Sequence, residues 1–439
     1  MTEVERVSFR DALRAWAYIG LNSFGGPAGQ ISVMHREIVE RRRWLDERRF
    51  LDALNYCMLL PGPEAQQLAT YTGWLLNGTR GGLAAGLLFI LPGVVVLLVL
   101  SILYAAFQDT TAASAIFYGI KPAVVALIAD AVLRLSRRAI SGRFAVAVAA
   151  IAFVGIFFFD IAFPVLIGLA AVAGVAHSYR RGATADGSHA TDTDDVVRPN
   201  TGRTLATVVC WLIIWLLPVA LAFVTLGPDS IFTRLALFFS FAAVITFGGA
   251  YAVLAFIAQQ AVDVYGWLTA QQMLDGLGLA ETTPGPLIMV VQFVGFMAAF
   301  GRPEGLDPLV AGIIGALLVS WVTFAPSFMW IFAGAPYVEY LRRRPMLSAA
   351  LSGVTPAVVG VIVNLGVWFA LQTFFSVSGE LRYGPLRLHT VDASTIDLFA
   401  IALAVAAFVA LVRFKVPLLI VLAGSAVAGA AWYLLVVHP

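Results

Sequence analysis

SFGGP at 23–27 returns as TFGGA at 246–250, and PGPE at 61–64 returns as PGPL at 284–287. Both returns fall 223 positions on, and at that same spacing Trp44-Leu45 meets Trp267-Leu268, Asp52 meets Asp275 and Leu54 meets Leu277. After an insertion around Gly301–Pro308 the spacing becomes 234. Pro92 then meets Pro326, Gly119 meets Gly353, and Pro122-Ala123-Val124-Val125 meets Pro356-Ala357-Val358-Val359. Rare residues agreeing in register over so long a stretch identify a duplication.

The setting of that duplication is a bilayer. Hydrophobic residues are 60% and charged residues 12% of the 439, against roughly 45–50% and about 25% in a soluble domain. Leu83–Phe107, Leu205–Leu226, Leu309–Ala333 and Leu347–Phe374 each reach the roughly 20 apolar residues that cross a hydrocarbon core. The expected fold is an all-α polytopic membrane protein. No cleavable signal peptide is expected, because the first ten residues are polar and carry Arg6 and Arg10. Cys57 and Cys210 lie in apolar segments and read as two buried small hydrophobes. The formal charge of +2 decides nothing, since the distribution of charge carries the information.

That distribution orients the halves. Glu40–Arg49 holds five arginines, whereas its counterpart Gln260–Ala270 holds no Lys or Arg. Later the bias reverses: Gln108–Ser114 has none, and the corresponding region carries Arg342-Arg343-Arg344. Under the positive-inside rule, matching loops lie on opposite faces, so the repeats have inverted topology. If Asp11–Ile38 and Leu51–Asn77 are hairpins that enter and leave on one face, Arg134–Arg143 also falls inside. On this map, of 28 Lys and Arg, only Arg234, Arg302, Arg382 and Arg387 lie outside and only Lys121 lies within the membrane.

The expected organisation is a first transport repeat (1–135), connecting short helices with a disordered cytoplasmic linker (136–203), one inverting crossing (204–230), a second repeat (231–375), and a loop with terminal helices (376–439). The linker, Arg180–Asn200, is rich in Gly, Ala, Ser, Thr and Asp and has no apolar period.

Chemistry is expected at the breaks. A proline inside a helix costs about 3 kcal/mol, and irregular backbone at membrane depth is tolerated only inside protein or along a wet cavity. Four breaks at matched positions, Phe24-Gly25-Gly26-Pro27, Pro61-Gly62-Pro63, Phe247-Gly248-Gly249 and Pro284-Gly285-Pro286, weigh more as a substrate site than as packing kinks. Each resumed half-helix, from Ala28, Glu64, Tyr251 and Leu287 onward, offers free N–H groups and a positive dipole end, which suits an anion. Gln66, Gln67, Thr70, Thr282, Thr283 and Gln292 flank the breaks and can reach oxyanion oxygens. Glu64 and Glu281 are the candidate proton-coupling carboxylates, with a helix-capping role for Glu64 weighed equally. Lys121 reads as a substrate or counter-charge contact against snorkelling to the interface. Asp130 reads as a partner of Lys121 or Arg134.

No Ser–His pair, HExxH motif, metal-spaced Cys/His set or Walker-type loop is present. An enzyme, a metal site, a cofactor and direct coupling to ATP are therefore not expected.

With FGGP…PGPE in one half and FGG…TTPGP in the other, the chain resembles the long-chain chromate ion transporter family over nearly all of its length outside the linker. The resemblance implies efflux of chromate across a bacterial inner membrane, chromate resistance, and sulfate as the structural analogue; a homodimer is compatible with it. The halves depart from one another where Ala250 stands for Pro27 and Leu287 for Glu64, which confines a carboxylate after Pro-Gly-Pro to the first half. A dianion leaving an inside-negative cell gains about 4.6 kcal/mol per 100 mV, so export can run on membrane potential, with or without proton antiport. A carrier of sulfate or another small anion, and a non-transporting membrane scaffold, are the alternative readings.

Overall fold

A computed structural model describes residues 7–180, 201–246, 250–337 and 345–437. Phe247, Gly248, Gly249, Arg342–Arg344 and nearly all of the Arg180–Asn200 linker lie outside the described residues. Among those described, eight helices are long and apolar enough to cross a membrane. The chain is a multi-pass, all-α membrane protein.

Each half opens with helices too short to cross. α1 (Phe9–Leu21) and α2 (Gly26–His35) are separated by the SFGG break, and α3 (Glu47–Cys57) leads to the first Pro-Gly-Pro. At 1.5 Å per residue, the 13 residues of α1 reach about 20 Å, short of a hydrocarbon core of about 30 Å. α4 (Glu64–Phe107) then folds back on itself at Asn77 and Gly78, where Gly78 takes a φ of 63°. Its short arm, 64–76, lies antiparallel against its long arm, 79–107, with Gly73 facing Gly81 and Ala85, and Thr70 facing Gly82 and Gly86. Glycines let the two backbones approach where any Cβ would collide, which is how helices associate within lipid. α5 (Thr111–Ala139), α6 (Gly142–Phe159) and α7 (Phe163–Arg180) follow, the last two being spans of 18 residues each.

After α8 (Thr201–Leu226) the pattern repeats. α9 (Ile231–Ile245) and α10 (Ala250–Gln259) flank the TFGG break, α11 (Ala270–Thr282) and α12 (Val290–Phe300) flank the second Pro-Gly-Pro, and α13 (Pro308–Gly334) and α14 (Pro345–Phe374) are long spans. The α9–α10 pair leaves on the side it enters. Ser230 beside α9 donates to Glu304 at 2.6 Å, and Arg302, two residues from Glu304, donates to the carbonyl of Tyr265 beyond α10 at 3.1 Å. Local detail repeats as well. Both α2 and α10 end in a π-helical turn, at Arg36–Arg41 and Gln260–Val264. Trp44 N–H then bonds to Ile38 O at 2.8 Å, as Trp267 N–H bonds to Ala261 O at 2.7 Å.

The strands β1 (Ser378–Tyr383) and β2 (Leu386–Val391) form one antiparallel hairpin, turning at Gly384-Pro385 with a φ of 60° at Gly384. A Gly in the first turn position suits the two-residue loops that match strand twist. α15 (Leu398–Val412) and α16 (Leu418–Trp432) close the chain.

The last two helices of each half pack on the other half. α6 and α7 lie on α14, and α15 and α16 lie on α5. A Cβ on Gly353 would meet the carbonyl of Ala170 at 2.0 Å, and one on Gly119 would meet that of Ser425 at 2.0 Å. The halves therefore cannot part without opening two small-residue seams.

One expectation is corrected. Cys57 is buried, but Cys210 is exposed. α8 packs through one face on α9 and α13 and turns the other outward, where Leu205, Ile213, Leu217 and Val224 are exposed as well. In a bilayer that face meets acyl chains, so a small hydrophobe needs no protein cover there.

Candidate functional site

The breaks form a junction built crosswise. The N–H of Gly62 donates to the carbonyl of Thr246 at 2.8 Å, and the N–H of Gly285 donates to the carbonyl of Ser23 at 2.8 Å. Each Pro-Gly-Pro is thus tied to the residue that precedes FGG in the opposite half, Thr246 or Ser23. Ser23 and Thr246 turn their hydroxyls back onto Ile19 O and Ala242 O, both at 2.6 Å, which leaves their own carbonyls facing the junction. Gly62 and Gly285 hold φ values of 121° and 109°, a region that side chains rarely enter.

Two spanning helices support the junction at their own prolines. Gly93, after Pro92 of α4, faces the carbonyl of Pro284 so closely that a Cβ there would lie 2.4 Å from it; Ser327, after Pro326 of α13, has its Oγ 2.9 Å from the position of a Cβ on Gly62. The matched prolines thus mark where each long helix meets the Pro-Gly-Pro of the other half.

The half-helix starts carry no side-chain caps. α2 begins after Gly25 (φ 83°) with Pro27 in its first turn, α4 begins after Pro63, and the turn Leu287–Met289 that leads into α12 begins after Pro286; none of these receives a capping side chain. Away from the junction, Asp46, Thr110, Ser230, Thr269, Asp307 and Asp397 cap α3, α5, α9, α11, α13 and α15, while α1, α6 and α16 start without a side-chain cap. Uncapped starts retain N–H groups and the positive end of the dipole.

Polar groups gather at both Pro-Gly-Pro turns, and the glutamines among them come from the first half. Gln67 donates to Pro61 O at 2.7 Å, and Gln30 donates to Gly285 O. Gln66 is fully buried, and among the described residues neither its side-chain nitrogen nor its oxygen has a hydrogen-bond partner; Gln67 Oε1, Gln30 Oε1, Thr323 Oγ1 and Ser327 Oγ are likewise buried and unpaired there. A buried amide without a partner costs roughly 1–3 kcal/mol by protein measurements, so the Gln66 amide is free to bind a polar ligand. In the second half Met289 and Val290 stand at the positions of Gln66 and Gln67. The polarity of the junction is one-sided.

The other expected residues separate into groups. Glu64, half-buried, opens α4 beside the junction. Glu281 is 4% exposed and accepts from Tyr251 Oη at 3.0 Å. Tyr251 reads in the sequence as a half-helix start and not as a partner of Glu281, although a hydroxyl directly after TFGGA is the available signal. Thr70, Thr282 and Thr283 donate to Gln66 O, Leu279 O and Ala280 O at 2.9, 2.7 and 2.8 Å, so their protons serve their own helices. Gln292 donates to Val94 O at 2.9 Å and accepts from Ser320 at 3.1 Å. Phe24 and Pro27 are half-buried at the tip.

Lys121 stands elsewhere. Its Nζ is 3.4 Å from Asp275 Oδ1, while Tyr104 donates to Asp275 Oδ2 at 2.9 Å. This pair lines a cavity of about 290 Å³ with Gln108, Tyr118 and Asp397. Asp130 pairs with Arg134 at 2.8 Å, as one of its two expected partnerships.

A family model described as chromate transporter matches residues 10–175 and 233–430. A probable chromate transport protein of Synechococcus elongatus is 28% identical over 366 residues, covering 83% of this chain and 86% of that one. The chromate transport protein of Pseudomonas aeruginosa is 32% identical over 362 residues, 81% of this chain and 80% of that one. The chromate transport protein of Cupriavidus metallidurans is 26% identical over 377 residues, 85% of this chain and 86% of that one. No solved structure matches.

Proposed function

Because this chain belongs to the chromate transporter family, we propose that it carries chromate out of the cell across the inner membrane, as a secondary transporter that confers chromate resistance. The observation that carries the reading is the crossed pair of hydrogen bonds, Gly62 to Thr246 and Gly285 to Ser23. It holds each Pro-Gly-Pro tip against Ser23 or Thr246 of the opposite half, with uncapped helix starts around them. Such starts bind a divalent oxyanion through N–H groups and dipole without a fixed cation, and the free Gln66 amide adds a donor. The substrate contacts are assigned to Phe24–Pro27, Pro61–Glu64, Gln66, Gln67, Phe247–Gly249 and Thr282–Pro286.

Direction follows from energetics. An inside-negative potential favours departure of a dianion by about 4.6 kcal/mol per 100 mV, a ratio of more than a thousandfold. Potential alone therefore suffices, and Glu64 and Glu281 supply carboxylates for proton exchange where antiport adds to it.

The test is uptake of radiolabelled chromate into inside-out vesicles or proteoliposomes under an imposed potential, positive inside. Uptake that rises with potential and is competed by chromate more strongly than by sulfate supports the reading. Uptake of sulfate in preference to chromate would replace the substrate. No uptake of either anion would leave a scaffold.

A further inference from the structure

The Lys121–Asp275 pair lies outside the junction, and no role has yet been given to it. Lys121 belongs to α5 and Tyr104 to α4, the long spans of the first half; Asp275 belongs to α11, the helix that leads into the second Pro-Gly-Pro. The contact therefore links a span to a helix that ends at the junction. Lys121 lies ten residues into α5 from its start at Thr111, about 15 Å along the helix. Gln108 and Ser114 also line this cavity, at the start of α5 and so at the end of that helix away from Arg137 and Arg138.

Beneath the pair the way is closed. Phe293 presses on Gly276, and Ile120 covers Gly278, one turn deeper along α11. Tyr104 meets Phe293 edge-on at 5.1 Å and Phe117 at 5.3 Å. The symmetry-related site carries other residues: Thr70 stands at the position of Phe293 and Thr355 at that of Lys121, while Asp52 matches Asp275.

The charges explain what the closure does to an anion. Asp397 is committed, taking Tyr118 Oη at 2.6 Å and capping Ala400 N–H at 2.8 Å. Asp275 Oδ1 is buried and, among the described residues, is faced by the Lys121 ammonium at 3.4 Å without a further hydrogen bond. With Lys121 paired to Asp275, the described lining of the cavity offers an anion no free cation and holds a second carboxylate, Asp397. If α11 withdraws Asp275, Lys121 is left as a bare cation in a place of low dielectric, where an oxyanion is its natural partner.

We propose that Lys121 and Asp275 form the outer gate of the transport path, and that Lys121, unmasked when the pair parts, is a second, transient binding site for a divalent oxyanion on its way out. The exit site rests on the transport function proposed above; the gate can be read without it. While closed, the pair blocks the path and rejects external anions. Once open, it offers a cation one step beyond the junction.

The full-length protein carrying Ile120→Cys is exposed, in intact cells, to a membrane-impermeant cationic thiosulfonate. Slow labelling is expected with Asp275 in place, and at least about tenfold faster labelling with Asp275→Asn, since 1.4 kcal/mol corresponds to tenfold and removing one partner of a buried ion pair costs more than that. Asp275→Glu, and the exchange of Lys121→Asp with Asp275→Lys, should return the rate toward the parent. An unchanged rate in Asp275→Asn, with Asp275→Glu folded and equally slow, overturns the gate. External chromate should slow labelling of the Asp275→Asn variant but not of Asp275→Asn combined with Lys121→Met; equal protection in both, or in neither, overturns the exit site. Labelling needs no transport, so a protein that gates as described yet moves no chromate would refute the proposed function and not the gate.

Discussion

The N–H of Gly285 meets the carbonyl of Ser23 at 2.8 Å, across 262 residues of chain. The same bond recurs between Gly62 and Thr246, each partner 223 positions from its counterpart. A contact that recurs at the spacing of the duplication makes each half the ligand of the other. Neither Pro-Gly-Pro satisfies its glycine N–H within its own hairpin, so half a chain would leave a polar group unpaired at membrane depth. Such a group costs several kcal/mol in hydrocarbon.

Gly62→Ala and Gly285→Ala test the junction. Both glycines hold positive φ, and strain there costs about 1–3 kcal/mol. A Cβ on Gly62 also lies 2.9 Å from Gln67 Nε2 and from Ser327 Oγ, whereas one on Gly285 finds nothing closer than 3.5 Å. Gly62→Ala should therefore be the more damaging of the two, in both thermal unfolding of purified protein and chromate uptake. Equal, wild-type behaviour of both would mean that the tips are not held as described.

How far the sequence reaches depends on residue rarity. Trp, Gly and Pro recur seldom enough that SFGG, PGP and PAVV betray the duplication unaided. The crossing of α6 and α7 onto α14, and of α15 and α16 onto α5, left no such trace. Gly174 against Gly353 and Gly429 against Gly119 use residues common throughout apolar helices, without a fixed period. The partner of Lys121 was equally hidden, since a charge 154 positions away offers no local signal and Asp275 read simply as a matched repeat residue. The hairpin at 378–391 was legible in principle, through alternation about Gly384-Pro385, but was subsumed in a loop. Of the site, the glycines and carboxylates were visible; the role of Tyr251 was not, because it depends on meeting Glu281.

Sidedness is open to direct labelling. Cysteines placed at Arg43 and at Gln271 in intact cells should differ: only Gln271→Cys should react with an impermeant reagent, because matched loops carry opposite charge bias. Reaction of both from the same side would remove the inverted arrangement while leaving the junction as it stands.

The β-hairpin should respond to acid. Arg387 Nη1 lies 3.4 Å from Asp160 and 3.5 Å from Glu380, and Gln259 at the end of α10 donates to Asp160 at 2.5 Å. Burial, and then the Arg387 guanidinium, hold the His389 imidazole below its ordinary value of 6.5. The folded hairpin thus disfavours the proton that the undocked hairpin accepts. Its stability is fully present above pH 6.5 and is lost progressively as pH falls through the folded value. Amide protection factors across β1 and β2 should drop on acidification, and His389→Gln should flatten that drop. A drop of equal size in the variant would assign it to the carboxylates.

Tyr251 and Glu281 supply a test within the second half. Removing the hydroxyl in Tyr251→Phe leaves a carboxylate that is 4% exposed without its one described donor, at a cost of about 1–3 kcal/mol if it stays ionised. Protonation relieves that cost, so the variant should carry an additional proton and shift the pH profile of chromate transport toward alkaline values. Glu281→Gln in the same background should cancel the shift. Persistence of the shift without the carboxylate would place the titrating group elsewhere.

Glu64 decides between potential and proton as the drive. It opens α4 after Pro63, where no side chain caps the helix, so its carboxylate and an incoming oxyanion compete for the same N–H groups and dipole. Ionised, it would repel a bound dianion at short range in a medium of low dielectric. The hypothesis is that Glu64 is protonated while the anion is bound and ionised when the site is empty, so that each dianion exported is exchanged for a proton entering. Glu64→Gln mimics the protonated state permanently. It should keep chromate binding, lose the dependence of that binding on pH, and slow turnover driven by a proton gradient more than turnover driven by a potassium diffusion potential. An unchanged pH profile in Glu64→Gln would make the residue a helix cap, and membrane potential alone would then drive export.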